Sequence, residues 1–438
     1  MTNDPRAERF HADGISDGSA GREADFRHPF EKDRDRILYS SAFHRLAGVT
    51  QIVRAGEEDV FHTRQQHTYK VAQVGRRLAQ KLIKNHPHEV EVGGLHHEAV
   101  EAACLAHDLG HPPFGHIGEQ VLDNLMGDDP DGFEGNAQTF RIVNKLSVRY
   151  SECLGLNLTR ATLNACLKYP WLRDKENAKK TKKFSAYRTE EKEFEFARAL
   201  SDKDEQSLEA HLMDWADDIA YSVHDLEDFH RCQVIPWATV LQDAKTRTNI
   251  VDEATTAWFR APENAKERLD RAMDRLVDEL FLLFPTVFHE PYLGTRDQRQ
   301  QLRTLTSTLT SRYIGGTKLS SETPTRLDIS ENFFDEVLVL KQITRKYILS
   351  NPSLIAQQKG QQKIIEFLFE QLREDSKGKT RPPQYLPNRL TYLWDLSNQR
   401  KERFVCDCIA SLTERECVAL FGRLSGSASG SVLDPIVR

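Results

Sequence analysis

In Ala103-Cys104-Leu105-Ala106-His107-Asp108-Leu109-Gly110-His111-Pro112-Pro113-Phe114-Gly115-His116, a small, apolar helical run ends in adjacent His107 and Asp108. Gly110 suits the end of that helix, and Pro112-Pro113 forbids its continuation. Within fourteen residues the stretch offers three imidazoles and one carboxylate. An apolar wall that holds His and Asp at a helix end suits a metal site. A capped helix with surface histidines is the plainer alternative, and the flanking sequence decides between them.

Upstream, Phe61-His62-Thr63-Arg64-Gln65-Gln66-His67-Thr68 opens a long helix whose buried stripe is Val71, Val74, Leu78 and Leu82. His67 sits one turn before Val71 and continues that face. Arg64, one turn earlier still, points the same way. Nine of the sixteen histidines lie between His62 and His116. Of these, His86, His88, His96 and His97 fall in a charged connection and are expected to face solvent. Before this helix, Ile37, Leu38, Ser41, Ala42 and Arg45 recur at helical spacing. Val49-Thr50-Gln51-Ile52-Val53 is a short β-prone run, and Ala55 to Asp59 turns the chain.

Downstream come Glu119, an acidic loop from Gly127 to Gly135, and helices over Asn136–Leu146 and Leu158–Leu167. The second helix runs into Lys168-Tyr169-Pro170-Trp171. Residues 173–206 are strongly charged and read as a solvated loop. Lysines from its cluster Lys179, Lys180, Lys182 and Lys183 could close over a phosphate. Leu208 to Asp228 is helical, with Leu212, Trp215, Ala216, Ile219, Val223 and Leu226 apolar. Asp217, Tyr221 and Asp225 are four apart, so they are expected to stack along one face over roughly 12 Å. A tyrosine between two carboxylates suits a ligand-binding wall better than a merely solvated acidic face.

The whole chain sets bounds on this reading. Its 438 residues are 39% hydrophobic and 29% charged, which allows a sizeable core. A net charge of −6 argues against general polyanion binding. Seven cysteines without a C-x-x-C pair suit reduced thiols and a cytoplasmic setting. No apolar run approaches the ~18 residues of a membrane span, and no signal-peptide core is evident. No membrane partner is expected. There is no Walker A or dinucleotide glycine pattern. Helices are expected over Ala265–Leu283, Asp335–Ser350, Ser353–Leu372 and Arg400–Leu424, with breaks at Gly315-Gly316 and Ser376–Pro383. The expected organisation is a flexible lead-in (1–30), a core that holds these motifs (31–235), a helical C-terminal region packed on it (236–424) and a flexible tail (425–438).

His67, His107-Asp108 and Asp217 together make an H…HD…D pattern. Around it stand Arg64-x-x-His67-Thr68, His107-Asp-Leu-Gly-His-Pro-Pro-Phe-Gly-His116-x-Gly-Glu119, Gly132-Phe-Glu-Gly-Asn-Ala-Gln138 and Ala216-Asp-Asp-Ile-Ala-Tyr-Ser222. With these motifs the chain resembles the bacterial dNTP triphosphohydrolases, or dGTPases, of the HD-domain superfamily. The resemblance runs from about Asp33 to Asp228 and resumes near Arg400–Leu424. It implies an all-α fold and one divalent metal ion per subunit (Mn, Fe, Co, Ni, Zn or Mg), held by His67, His107, Asp108 and Asp217.

The implied reaction splits dNTPs, dGTP by default, into deoxynucleoside and inorganic triphosphate. His116 would protonate the departing 5′-oxygen, with Glu119 orienting it and His111 in support. Arg64, Lys168 and Lys183 would hold the triphosphate, assisted by Tyr169. Gln51 and Asp225 would take the 3′-hydroxyl, and Tyr221 would pack where a 2′-hydroxyl would otherwise sit. Asn136 lies near the catalytic group. The resemblance also implies a homo-oligomer, hexamer or tetramer, with a regulatory nucleotide or single-stranded DNA as further partners. The alternatives are another HD-type nucleotide phosphohydrolase (a nucleotidase or phosphodiesterase) and a non-catalytic nucleotide sensor.

Overall fold

Three helices that share one crossing organise the molecule. A computed structural model describes residues 4–11, 25–51, 62–127, 129–202, 204–258, 261–281, 283–288, 290–320, 323, 326–349, 351–397 and 400–428. The first helix, Arg64–Asn85, starts at a capping box in which Thr63 and Gln66 satisfy each other's backbone N–H groups. It buries His67, Val71, Val74, Leu78 and Leu82. The second, His97–Ala106, is buried on nearly every side, with Ala99, Val100 and Ala102 to Ala106 all inside. The third, Leu208–Ala220, turns Leu212, Trp215, Ala216 and Ile219 inward. The three helices meet at Gly75, where a Cβ would lie 2.5 Å from Cys104 Sγ and 3.4 Å from Ala216 Cβ. Any larger residue there would push the three helices apart.

Among the described residues the fold is all-α apart from one small hairpin, which the sequence reading did not anticipate. Its strands, Thr317–Leu319 and Leu327–Ile329, pair antiparallel with Thr317 opposite Ile329. Its Thr317 hydroxyl accepts from the Trp215 indole at 2.9 Å, tying it to the third helix. Helices Ala244–Ala257 and Arg296–Gly315 were likewise not expected. Among the described residues no helix is long and apolar enough to cross a membrane.

The apolar core is continuous from Ile37 to Leu420. Buried polar bonds bolt the C-terminal helices to Thr50, Phe114 and the helix Gly135–Arg141. Glu414 accepts from the Thr50 N–H at 2.8 Å and the Phe114 N–H at 3.2 Å. Asp407 takes a two-pronged contact from Arg141 and a 2.9 Å bond from Gln138. Removing one partner of such a buried pair is costly, because the other is left unpaired.

Several local expectations are corrected. The stretch 400–424 is two helices, Lys401–Ala410 and Glu414–Leu424, because Thr413 forms a capping box with Glu416. Residues 173–206 are not simply a solvated loop. They contain the helix Glu191–Arg198, and Phe184, Tyr187 and Glu190 are buried. Of His86, His88, His96 and His97 only His88 is exposed; His96 stacks between His28 and His97 at 4.7 and 5.1 Å. In the lead-in, Arg9 docks on Asp33 at 2.7 Å. The turn at Ala55–Asp59, residues 52 and 53 of the β-prone run and most of the tail lie outside the described residues.

A candidate metal and phosphate site

The helix crossing brings three donors together from far apart in sequence. His67 sits in the first turn of its helix, His107 caps the end of the second, and Asp217 lies near the end of the third. One ligand atom from each lies within 4.8 Å of the other two. His67 Nε2 is 3.1 Å from Asp217 Oδ1, and His107 Nε2 is 3.7 Å from the same oxygen. Such separations suit donors arranged around one ion at bonds of about 2.0–2.2 Å.

The surroundings of the imidazoles fit a metal. His107 Nδ1 donates to the Cys104 carbonyl at 2.7 Å, which leaves Nε2 facing Asp217. That Nε2 is buried and has no hydrogen-bond partner. Burial pushes His107 down, but the Asp108 and Asp217 carboxylates outweigh it and raise it to about 9. Two imidazoles with carboxylate suit Mn, Fe, Co, Ni or Zn.

Asp108 stands at the edge of this group and is not one of the three clustered donors. Its Oδ2 accepts from Arg64 Nη1 at 2.7 Å and lies 3.3 Å from His107 Nε2. Burial opposes its ionisation, yet Arg64, His107 and His111 hold it well below the usual carboxylate range. Asp218, adjacent to Asp217, turns away and pairs with Lys341 of the helix Glu331–Leu349 at 2.6 Å.

A second group lies beside the first. His116 Nδ1 is 3.1 Å from Glu119 Oε2, and Lys183 Nζ is 2.9 Å from Glu119 Oε1. Despite burial, these neighbours keep Glu119 well below the usual carboxylate range. The His111 ring lies edge-on to His116 at 5.2 Å between centroids, and its Nδ1 is 3.0 Å from Asp108 Oδ1. Burial, then Arg64, lowers His111 to about 4, so it is neutral at ordinary pH.

Both groups open on one cavity of about 520 Å³. Its wall includes Gln51, Arg64, His107, Asp108, His111, His116, Asn136, Lys168, Tyr169, Lys183, Asp217 and Tyr221. His67 and Glu119 stand just behind it, in contact with Asp217 and His116. Lys168 is anchored by Asp214 at 2.7 Å and Asp217 at 3.4 Å. Gln51 Oε1 is buried without a hydrogen-bond partner.

Like His67 and Glu119, Asp225 does not itself line the cavity. A π-helical turn, Tyr221–Asp225, follows the third helix. Its wider turn breaks the four-residue stacking on which the expected shared face depends. Asp225 therefore sits buried behind the metal cluster, its Oδ1 3.9 Å from His67 Nδ1. Burial raises it to about 7, partly offset by His67.

The opposite wall had no sequence signal. Lys341, Arg345, Leu354, Gln357, Gln358 and Gln361 come from two C-terminal helices, Glu331–Leu349 and Pro352–Ser376. Gly110 also has a role other than helix capping. A Cβ there would run into Gly135 O and the Thr139 backbone, both behind the HD loop. Gly110→Ala is therefore expected to destabilise the protein by about 3 kcal/mol or more, the upper range for overpacking against backbone. Thermal denaturation of the purified variant checks this.

An all-helical frame with paired His and Asp over a cation-lined cavity defines an HD-type phosphohydrolase. The HD domain model matches residues 64–222, and the phosphohydrolase-associated domain model matches residues 327–423. The chain is 35% identical to the deoxyguanosinetriphosphate triphosphohydrolase-like protein of Bifidobacterium longum, over 90% of this chain and 82% of that one. It is also 35% identical to the protein so named from Streptomyces coelicolor, over 91% and 93% of the two chains. A third such protein, from Corynebacterium efficiens, is 33% identical over 97% of each. The chain thus belongs to the deoxyguanosinetriphosphate triphosphohydrolase-like family of HD phosphohydrolases.

Proposed function

We propose that this protein hydrolyses deoxynucleoside triphosphates to deoxynucleoside and inorganic triphosphate, with a divalent metal held by His67, His107, Asp217 and Asp108. The observation that carries the reading is a single cavity lined by His107 and Asp217 of the His/Asp cluster, by the exposed His116 with buried Glu119 behind it, and by the cations Arg64, Lys168 and Lys183. Its volume of about 520 Å³ suits a nucleotide. The names of the relatives favour guanine as the base.

When bound, the divalent cation supplies Lewis-acid charge to the α-phosphate and its attacking water. The chain's own groups do the rest. Water oxygen adds to the α-phosphorus as the bond to the 5′-oxygen breaks. His116 donates its cavity-facing proton to that oxygen, and Glu119 holds the imidazolium through Nδ1. Lys168 and Lys183 hold the triphosphate, Lys183 by turning from Glu119 and Glu134, its partners at 2.9 and 2.8 Å. The buried Gln51 Oε1 accepts from the 3′-hydroxyl. Tyr221 packs against the sugar.

The test is to incubate the metal-loaded protein with each dNTP, singly and mixed, and separate the products. Deoxynucleoside and triphosphate are expected, with dGTP preferred. Release of only orthophosphate or pyrophosphate from every dNTP would make this a different phosphohydrolase.

A further inference from the structure

The helix Pro352–Ser376 changes character where it meets the cavity. Leu354, Gln358, Gln361, Ile365, Leu368 and Leu372 recur at steps of three and four, so they share one face. That face is apolar and buried at both ends, at Leu354 and from Ile365 onward. The inward face of a helix ordinarily stays apolar throughout. Here its middle is amide, and Gln358 and Gln361, with Gln357 beside them, line the cavity. On another face of the same helix Gln362 is committed, donating to Glu366 at 2.7 Å. The side chains of Gln358 and Gln361 have no hydrogen-bond partner among the described residues.

The place of this wall decides what it meets. The cations Arg64, Lys168 and Lys183 stand across the cavity from it. Lys341, on the same wall, is tied to Asp218 at 2.6 Å, and its Nζ lies 5.9 Å from the centre of the Tyr221 ring. A nucleotide with its triphosphate on the cations and its sugar at Tyr221 therefore turns its base toward the amides. Uncharged amides hold phosphate poorly, but each offers two N–H donors and one carbonyl acceptor. Leu354 and Ile117, also on the cavity, supply apolar surface for the faces of a ring.

We propose that Gln358 and Gln361 read the polar edge of the nucleobase and so set the order of preference among dNTPs; this rests on the dNTP reading above. Every base carries a donor and an acceptor side by side on that edge, and an amide meets either order by turning over. The wall therefore admits all four bases and ranks them. Guanine presents three polar groups in a row, O6, N1–H and the 2-amino group, and engages the amides most fully. Adenine presents two. A pyrimidine, with one ring, carries its edge less far from the sugar.

Comparison of dGTP with dITP, which lacks only the 2-amino group, isolates one contact. Wild-type kcat/KM for dGTP should exceed that for dITP by ~3–10-fold, the worth of one hydrogen bond. Gln358→Leu and Gln361→Leu, made singly and together, remove the polar atoms at little change in size. In the double variant kcat/KM for dGTP should fall at least ~10-fold, and dGTP and dITP should become equal within ~2-fold. Affinity for inorganic triphosphate, measured calorimetrically on the metal-loaded protein, should not change. Melting curves check the fold, and where the double variant does not fold the same ratio is read from the single ones. A wild-type ratio of one, or a ratio that the substitutions leave as it was, would overturn the proposal. So would an equal loss of affinity for triphosphate, which would put the amides on phosphate. Titration of deoxyguanosine and deoxyinosine into the same proteins needs no cleavage. A preference for deoxyguanosine that the variants lose, in a protein that cleaves no dNTP, would sustain this inference and sink the proposed activity. Cleavage of dNTPs with an unchanged ratio would sink this inference alone.

Discussion

Asp217→Asn is expected to lose metal and activity together, whereas Asp218→Asn keeps its metal. The two residues are neighbours on one helix, about 100° apart around its axis, and only one can face the cluster. Asp217 Oδ1 lies 3.1 Å from His67 Nε2 and 3.7 Å from His107 Nε2. Asp218 instead meets Lys341 at 2.6 Å. An amide at position 217 keeps the shape but removes the charge that offsets the cation. The loss in affinity should exceed the roughly 10–100-fold that follows removal of an outer-shell partner. Asp218→Asn leaves Lys341 without its carboxylate, so its effect should fall on stability or phosphate binding. Elemental analysis of the two purified variants decides. Metal retained in Asp217→Asn and lost in Asp218→Asn would reverse the assignment.

His116→Ala should keep its metal and lose turnover by ~10²–10⁴-fold, the range for a positioned proton donor. The side chain is 72% exposed, so its removal should cost little stability. Its bond to Glu119 and its place on the cavity wall are what tie it to the chemistry. A specific alternative makes the metal measurement necessary. His111, His116 and Glu119 also bring ligand atoms within 4.8 Å of one another. If His116→Ala loses metal in step with activity, His116 is a ligand and not the acid.

The catalytic half was legible because its chemistry is written in short motifs carried by regular helices. His67 could be placed from the stripe Val71, Val74, Leu78 and Leu82, all buried as periodicity demands. His107 could be placed from the abrupt end of an apolar helix. Asp217 was legible as a position, but the face of Asp225 was not, because a π turn leaves no clear mark in residue spacing. The far wall of the cavity was opaque for a different reason. Lys341 meets Asp218 across 123 residues, and only tertiary packing sets that encounter. The hairpin at Thr317 was missed because its strands are three residues each, too short for a period of two to show. Gly110 was seen as a break, but its actual constraint is the backbone of Gly135, which no local pattern reveals.

Isotope transfer from water tests the central claim most directly. The metal-loaded enzyme is supplied with dGTP in ¹⁸O-labelled water, and the products are analysed by mass spectrometry after one turnover. If water attacks the α-phosphorus while His116 protonates the 5′-oxygen, one label enters the inorganic triphosphate and none enters the deoxynucleoside. Label in the 5′-hydroxyl, or in orthophosphate with no triphosphate formed, would contradict the account.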